Sequence, residues 1–261
     1  MVGEPIAIKD PTSVVFRQQS GANVLVCGQN EEGALAIMAS ALISATVYGT
    51  KCHRQNGSSS LRLFVLDGTP LDVPNSDYLR AAAESLPGGI VCGGWDEATA
   101  IVEQIGEVLD KRLREHDTHG EKILLLINGL HRFRMLRKSE DDFGFSSYSD
   151  DDDDTPMTPD KIFSSILREG PVYGIHTILW CDSVSMLERM LDRNAMREFE
   201  TRVLFQMGAT DSSTLIDTTA ASQIGLKRAI VFSEELGRLE KFRPYSLPDR
   251  DWLEETGRRL K

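Results

Sequence analysis

The segment from Ala22 to Leu35, Ala-Asn-Val-Leu-Val-Cys-Gly-Gln-Asn-Glu-Glu-Gly-Ala-Leu, constrains this chain more than any other. Val24 to Cys27 is an apolar run of the length expected for a buried strand. Gly28 ends it, Gly33 follows after four residues, and a long helical pattern begins. A strand, Gly-x4-Gly and a helix in that order have the spacing of a phosphate-binding P-loop. Such a loop continues with Lys, which reaches the β- and γ-phosphates, and with Ser or Thr, which holds Mg²⁺. The residues here are Ala34 and Leu35. Gly28, Gln29, Asn30, Glu31, Glu32, Gly33, Ala34 and Leu35 are therefore expected to form a vestigial loop, and neither ATP nor Mg²⁺ is expected in it. The bland alternative is a strand-turn-helix in which both glycines only permit a tight turn.

Charge points the same way. Glu31 and Glu32 fall inside the Gly-x4-Gly segment that would wrap a polyanion. A carboxylate about 5 Å from one phosphate charge costs roughly 3 kcal/mol at an effective dielectric near 20. A helix N-terminus offsets at most about 2 kcal/mol of that.

The rest of the chain alternates strand-like and helix-like segments. Short strands are expected at Ile6 to Lys9 and Ser13 to Phe16, around the Asp10-Pro11 turn. A helix from about Gly33 to Tyr48 and a polar loop from Lys51 to Ser60 follow. Core strands are read at Leu61 to Asp67, Gly89 to Cys92, Lys122 to Ile127, Gly174 to Cys181 and Thr201 to Gln206. Helices are read near 76–85, 97–115, from Asp160, at 184–191 and from Asp211, taken as an N-cap, to Ile216. Arg228 to Phe232 and Leu239 to Arg243 form a hairpin around Gly237, and a last helix starts near Asp249. The alternation predicts one α/β domain over 1–261, a three-layer αβα sandwich with a mainly parallel sheet and a C-terminal β-hairpin plus helix.

Eight of the 40 acidic side chains fall within 140–154, which holds no basic one, so 29 basic face 32 acidic residues elsewhere and the net charge of −11 becomes −3. No basic excess marks a DNA-binding surface. The stretch at about 139–159 is expected to be a flexible acidic insert, a solvated loop or a site for a basic partner. Cys27, Cys52, Cys92 and Cys181 lack metal-type spacing and are expected as reduced thiols, and no metal site is expected. No run of 18 apolar residues and no signal peptide is present, so a cytoplasmic location without membrane insertion is expected.

Three segments together resemble one family. The Gly28 to Gly33 turn, the strand Ile123 to Ile127 with Asn128-Gly129 after it, and Gly174-Ile-His-Thr-Ile-Leu are similar to the motor domain of FtsK/SpoIIIE-type DNA translocases. The last resembles that family's "GIHLILATQ" strand. Thr201-Arg-Val-Leu-Phe-Gln-Met and Ala209-Thr-Asp-Ser-Ser-Thr-Leu-Ile-Asp resemble its "TRIAFRV…ATDSRTILD" element. The resemblance implies a RecA-like P-loop fold, shared with the HerA group and with the EccC-like ATPases of type VII secretion. In that family an Asp-Glu pair ends the Walker B strand, and Thr-Gln follows the Gly-Ile-His strand. Here the positions hold Asn128-Gly129 and Cys181-Asp182, which implies a vestigial Walker B and no catalytic residue. The resemblance also points to Arg202 as an inter-subunit arginine in a ring, against an ordinary ion pair. His176 reads as a packed structural histidine, and His131 to Lys138 as a basic patch facing either nucleic acid or the insert.

The expected function is a catalytically inactive, structural or regulatory ATPase-fold module of a larger DNA-translocase or secretion-type assembly, the last such module of its parent. Its partners would be other motor domains in a ring. The alternatives are an active ATP-binding DNA translocase with substitute residues, the only reading that needs ATP, Mg²⁺ and DNA, and an adapter that binds a protein through the acidic insert.

Overall fold

A computed structural model describes residues 1–56, 61–139 and 157–261. Nine strands form one sheet in the order β1-β9-β8-β7-β2-β6-β5-β3-β4. The parallel part is β2 (Val24–Cys27), β3 (Leu61–Asp67), β4 (Val91–Gly93), β5 (Lys122–Asn128), β6 (Ile175–Cys181) and β7 (Thr201–Leu204). β8 (Ala229–Ser233) and β9 (Arg238–Pro244) form the expected antiparallel hairpin, with Gly237 at φ 53° in its turn.

The parallel strands are apolar on both faces because both faces are covered. Successive side chains alternate across the sheet. Leu25, Cys27, Leu125, Ile127, Leu179 and Cys181 enter one core. That core is closed by α3 (Ala98–Glu115), α4 (Pro159–Glu169), α5 (Val184–Met190) and α7 (Ala209–Ile216). Val24, Val26, Leu124, Leu126, Ile178 and Trp180 enter the other. It is closed by α1 (Glu31–Asn56), α2 (Tyr78–Ser85) and α8 (Arg250–Leu260). The result is a three-layer αβα sandwich. A short helix, α6 (Arg193–Arg197), leads into β7.

Four local expectations are corrected. The N-terminal strands at 6–9 and 13–16 do not form. Instead β1 (Gly3–Pro5) pairs with β9, and Gly3 bridges to Thr12. Gly3 suits that seat because a Cβ there would strike the Arg243 carbonyl, while Ile6 and Ile8 stay exposed. Helix α1 starts at Glu31, two residues before Gly33, and runs on to Asn56 through what reads as a loop from Lys51. The N-cap of α7 is Gly208, and Asp211 sits in its first turn.

The acidic insert lies outside the described residues except at its ends. There Ser139 donates through its backbone N–H (3.2 Å) and its hydroxyl (2.7 Å) to Asp160 Oδ2, so the two ends meet. Residues Glu31–Cys52 of α1 have the length and hydropathy, 1.5, to cross a membrane. In this fold 56% of that window is buried, and Ala34, Leu35, Ile37, Met38 and Ala39 pack into the core under the sheet.

Candidate functional site

The strand order reverses direction around β2. From β2 the chain crosses to β3 on one side, and from β6 it crosses over β2 to β7 on the other. A crevice at the carboxyl ends of strands beside such a switch point is where open α/β sheets bind ligands. Here that crevice encloses about 160 Å³ and is lined by Gly28, Gln29, Asp182, Gln206 and Asp211 among others. Small-molecule sites usually span about 300–1,000 Å³. Other cavities lie elsewhere, one by the start of β2 and one between α3 and α4.

The turn from β2 into α1 is three residues long, Gly28 to Asn30, because the helix begins at Glu31. Both peptide groups of Gly28 are bonded within the chain. The Gly28 N–H donates to the Cys181 carbonyl at 3.1 Å, and the Gly28 carbonyl accepts from Trp180 Nε1 at 3.0 Å. Asn30 caps the helix: its Oδ1 accepts the Gly33 N–H at 3.0 Å, while its Nδ2 donates to the Leu226 carbonyl at 3.3 Å. Free N-terminal amides are what a helix offers an anion, and here a side chain of the same chain takes the Gly33 amide.

The two glycines have a packing reason. Gly28 has φ 127°, and a Cβ on it would lie 2.8 Å from Phe205 Cβ. A Cβ on Gly33 would lie 2.8 Å from Phe205 Cε1 and 2.6 Å from Asn30 Nδ2. Phe205 is itself fully buried after β7. Ala34 and Leu35, where Lys and Ser or Thr would stand, face the α1-side core.

Glu31 and Glu32 stand in the first helical turn rather than in a wrapping loop, and there the helix dipole favours them. Glu31 is also paired with Arg132 at 2.8 Å. The like-charge repulsion expected at the turn is therefore smaller than the sequence alone implies. Arg132 donates to the Gly68 carbonyl at 3.1 Å as well and lies over the Trp180 ring at 5.6 Å. The carboxylates that do line the crevice are Asp182 and Asp211, and among the described residues no Lys or Arg lines it.

Asn128 ends β5 and is 1% exposed. Its Nδ2 donates to Asp67 Oδ1 at 3.0 Å and to Thr69 Oγ1 at 2.9 Å. Asp67 Oδ1 also accepts from the Thr69 hydroxyl and backbone N–H. Asn128 Oδ1 is buried without a hydrogen-bond partner. Gly129 follows in the left-handed region (φ 84°) and opens a 3-10 turn at Leu130–Arg132. A second 3-10 turn, Arg134–Leu136, carries the basic patch on to Lys138, which donates to the carbonyls of Glu188 and Leu191.

Arg202 is 15% exposed and turned inward. It donates to the carbonyls of Phe199 and Leu215 and meets Glu234 at 3.4 Å. His176 is buried, with Nδ1 2.9 Å from the Ala22 carbonyl and its ring on Phe16; burial holds its pKa below the usual histidine value. Burial pushes the Cys181 thiol up to about 12 and raises Cys27 as well. The sequence did not single out Trp180, Phe205 or the Asp67–Thr69 pair, and it marked Arg132 only as part of the basic patch, not as the partner of Glu31. Their only signal was position, at or just beyond the carboxyl ends of core strands.

These residues do not fit Mg-ATP held in the P-loop manner. The Gly33 amide is capped, the Gly28 N–H and carbonyl are bonded, the Lys position is a core alanine, and two carboxylates, Asp182 and Asp211, line the crevice.

No family model matches the chain, and no curated protein matches it. Solved structures do. The pCW3 conjugation coupling protein TcpA, in monomer form with ATPγS, superposes with a TM-score of 0.64 at 14% identity, over 100% of this chain and 70% of TcpA. The cytoplasmic domain of the type VII secretion ATPase EccC of Thermomonospora curvata gives 0.63 at 12% identity, over 99% of this chain and 30% of that one. ATPases 2 and 3 of the same EccC, in complex with a signal sequence peptide, give 0.65 at 14% identity, over 99% and 45%. The chain thus spans less than half of either EccC structure. Its fold is that of FtsK/SpoIIIE-type motor domains.

Proposed function

We propose that this chain is a nucleotide-silent ATPase-fold module acting in a larger translocase or secretion-type assembly, where it supplies geometry or a binding surface to active motor domains. The observation that carries this reading is the Asn30 cap on Gly33, which spends on a side chain the amide that a phosphate would need. The buried Ala34 and the Asn128 amide bonded to Asp67 agree with it: neither offers a charge to a nucleotide or to Mg²⁺. In this reading Gly28 to Leu35 and Asn128-Gly129 are vestiges of Walker elements, and no residue is catalytic. Support for the assembly comes from the neighbours, since EccC holds several ATPase units in one chain. The cytoplasmic side is the proposed location, as for the EccC domain.

ATP hydrolysis by the purified chain, with and without double-stranded DNA, tests the reading. No turnover above background is expected. A rate stimulated by DNA would overturn it and favour an active translocase.

A further inference from the structure

Three side chains from two segments of the chain meet at the carboxyl end of β6. Cys181 is the last residue of that strand, Asp182 follows it, and His131 comes from the 3-10 turn after β5. A ring nitrogen of His131, the Cys181 sulfur and a carboxylate oxygen of Asp182 all lie within 4.8 Å of one another. Fifty positions separate His131 from Cys181, so spacing along the chain could not show the group.

The histidine is the unusual member. Its side chain is 10% exposed, and its Nδ1 is buried without a hydrogen-bond partner. Its Nε2 stands 3.7 Å from Asp182 Oδ2, beyond hydrogen-bonding length. Buried polar groups are nearly always bonded, and this imidazole, edge-on to Trp180 at 5.5 Å, is not satisfied by its surroundings. The Cys181 thiol makes a long contact, 3.6 Å, to the Ser183 carbonyl and is also met by the backbone of Asp182 and of His131.

We infer that His131, Cys181 and Asp182 form a binding site for a zinc-like divalent transition metal, with water completing the coordination. Imidazole, thiolate and carboxylate together suit zinc rather than magnesium or calcium. Tetrahedral zinc with bonds of 2.0–2.3 Å sets its ligand atoms roughly 3.5 Å apart. His131 Nε2, the nitrogen facing Asp182 at 3.7 Å, already meets that spacing and leaves Nδ1 as the outer nitrogen, and a separation of up to 4.8 Å closes by about an ångström. Asp182 is 37% exposed, which leaves a path for the ion and a face for water. The neighbouring cation, Arg132, is bonded to Glu31 and the Gly68 carbonyl. The metal would clip the turn after β5 to the end of β6. This inference does not depend on the silent-module reading.

The test uses the full chain without an affinity tag. It is incubated with Zn²⁺, passed through gel filtration and assayed for metal, with Co²⁺ as a spectroscopic probe. One zinc per chain and a thiolate-to-cobalt charge-transfer band are expected. At hundredfold excess over the dissociation constant the melting temperature should rise by about 5–10 °C. Asp182→Asn and His131→Gln, which remove ligands rather than their outer partners, should each weaken retention by at least about a hundredfold, and Cys181→Ser should remove the cobalt band. If Cys181→Ser does not fold, Asp182→Asn decides, because its side chain is partly exposed. No retained zinc, equal retention in Asp182→Asn and His131→Gln, or a cobalt complex without the thiolate band would overturn the inference.

Discussion

Replacing Asn30 isolates the interaction that closes the strand-to-helix turn. Asn30→Ala removes an N-cap whose Oδ1 holds the Gly33 N–H at 3.0 Å, and a second bond from Nδ2 to the Leu226 carbonyl at 3.3 Å. Loss of an N-cap costs about 1 kcal/mol, and a partly exposed neutral hydrogen bond adds about 0.5 kcal/mol. The sum of about 1.5 kcal/mol corresponds to a melting temperature lower by about 3–6 °C for a chain of this size. Asn30→Asp keeps an acceptor for the Gly33 N–H, adds a charge that the helix dipole favours and loses only the Leu226 bond. It should melt within about 2 °C of the parent. Differential scanning calorimetry of the three proteins at one pH and ionic strength measures both shifts. If Asn30→Ala melted with the parent, or Asn30→Asp fell as far as Asn30→Ala, the cap would not be what closes this turn.

Asn128→Asp places a carboxylate on a site now donating to Asp67 Oδ1 at 3.0 Å. It should destabilise the fold by roughly 3 kcal/mol at pH 8 and much less at pH 4, because one of the paired carboxyls keeps its proton there; chemical denaturation at both pH values reads this. His176 titrates below its ordinary 6.5 because burial disfavours its charged form. A lowered histidine pKa means that the unfolded chain binds the proton more readily, so stability is full above about pH 6.5 and is lost as pH falls below it. Melting temperatures from pH 8 to 5 should show that slope, and His176→Gln should flatten it. Arg202→Ala strips donors from the carbonyls of Phe199 and Leu215 and should cost about 2 kcal/mol, seen in denaturant midpoints. A variant of unchanged stability would show that these bonds do not hold the fold.

The fold was legible because apolar runs such as Leu61 to Asp67 and Lys122 to Asn128 report strands covered on both faces. The hairpin around Gly237 was legible from turn chemistry. The N-terminal strands were not, because β9 pairs with Gly3–Pro5, where the glycine fits against Arg243, and not with the more strand-like Ile6 to Lys9. At the site, sequence singled out Ala34, Leu35, Asn128 and Gly129 as departures from the P-loop ATPase pattern, but not what these residues contact. It placed Glu31 and Glu32 in a loop because Gly33 looked like the helix start, whereas the Asn30 cap moves that start to Glu31. The pairing of Glu31 with Arg132, and the meeting of His131 with Cys181, depend on strand neighbours that no local pattern encodes.

Isothermal titration of the purified chain with Mg-ATP, repeated with a non-hydrolysable analogue, addresses the proposed silence of the β2–α1 turn most directly. No binding heat and no change in melting temperature are expected at millimolar nucleotide. Saturable binding at micromolar concentration would contradict it and show that the turn holds phosphate despite its Asn30 cap.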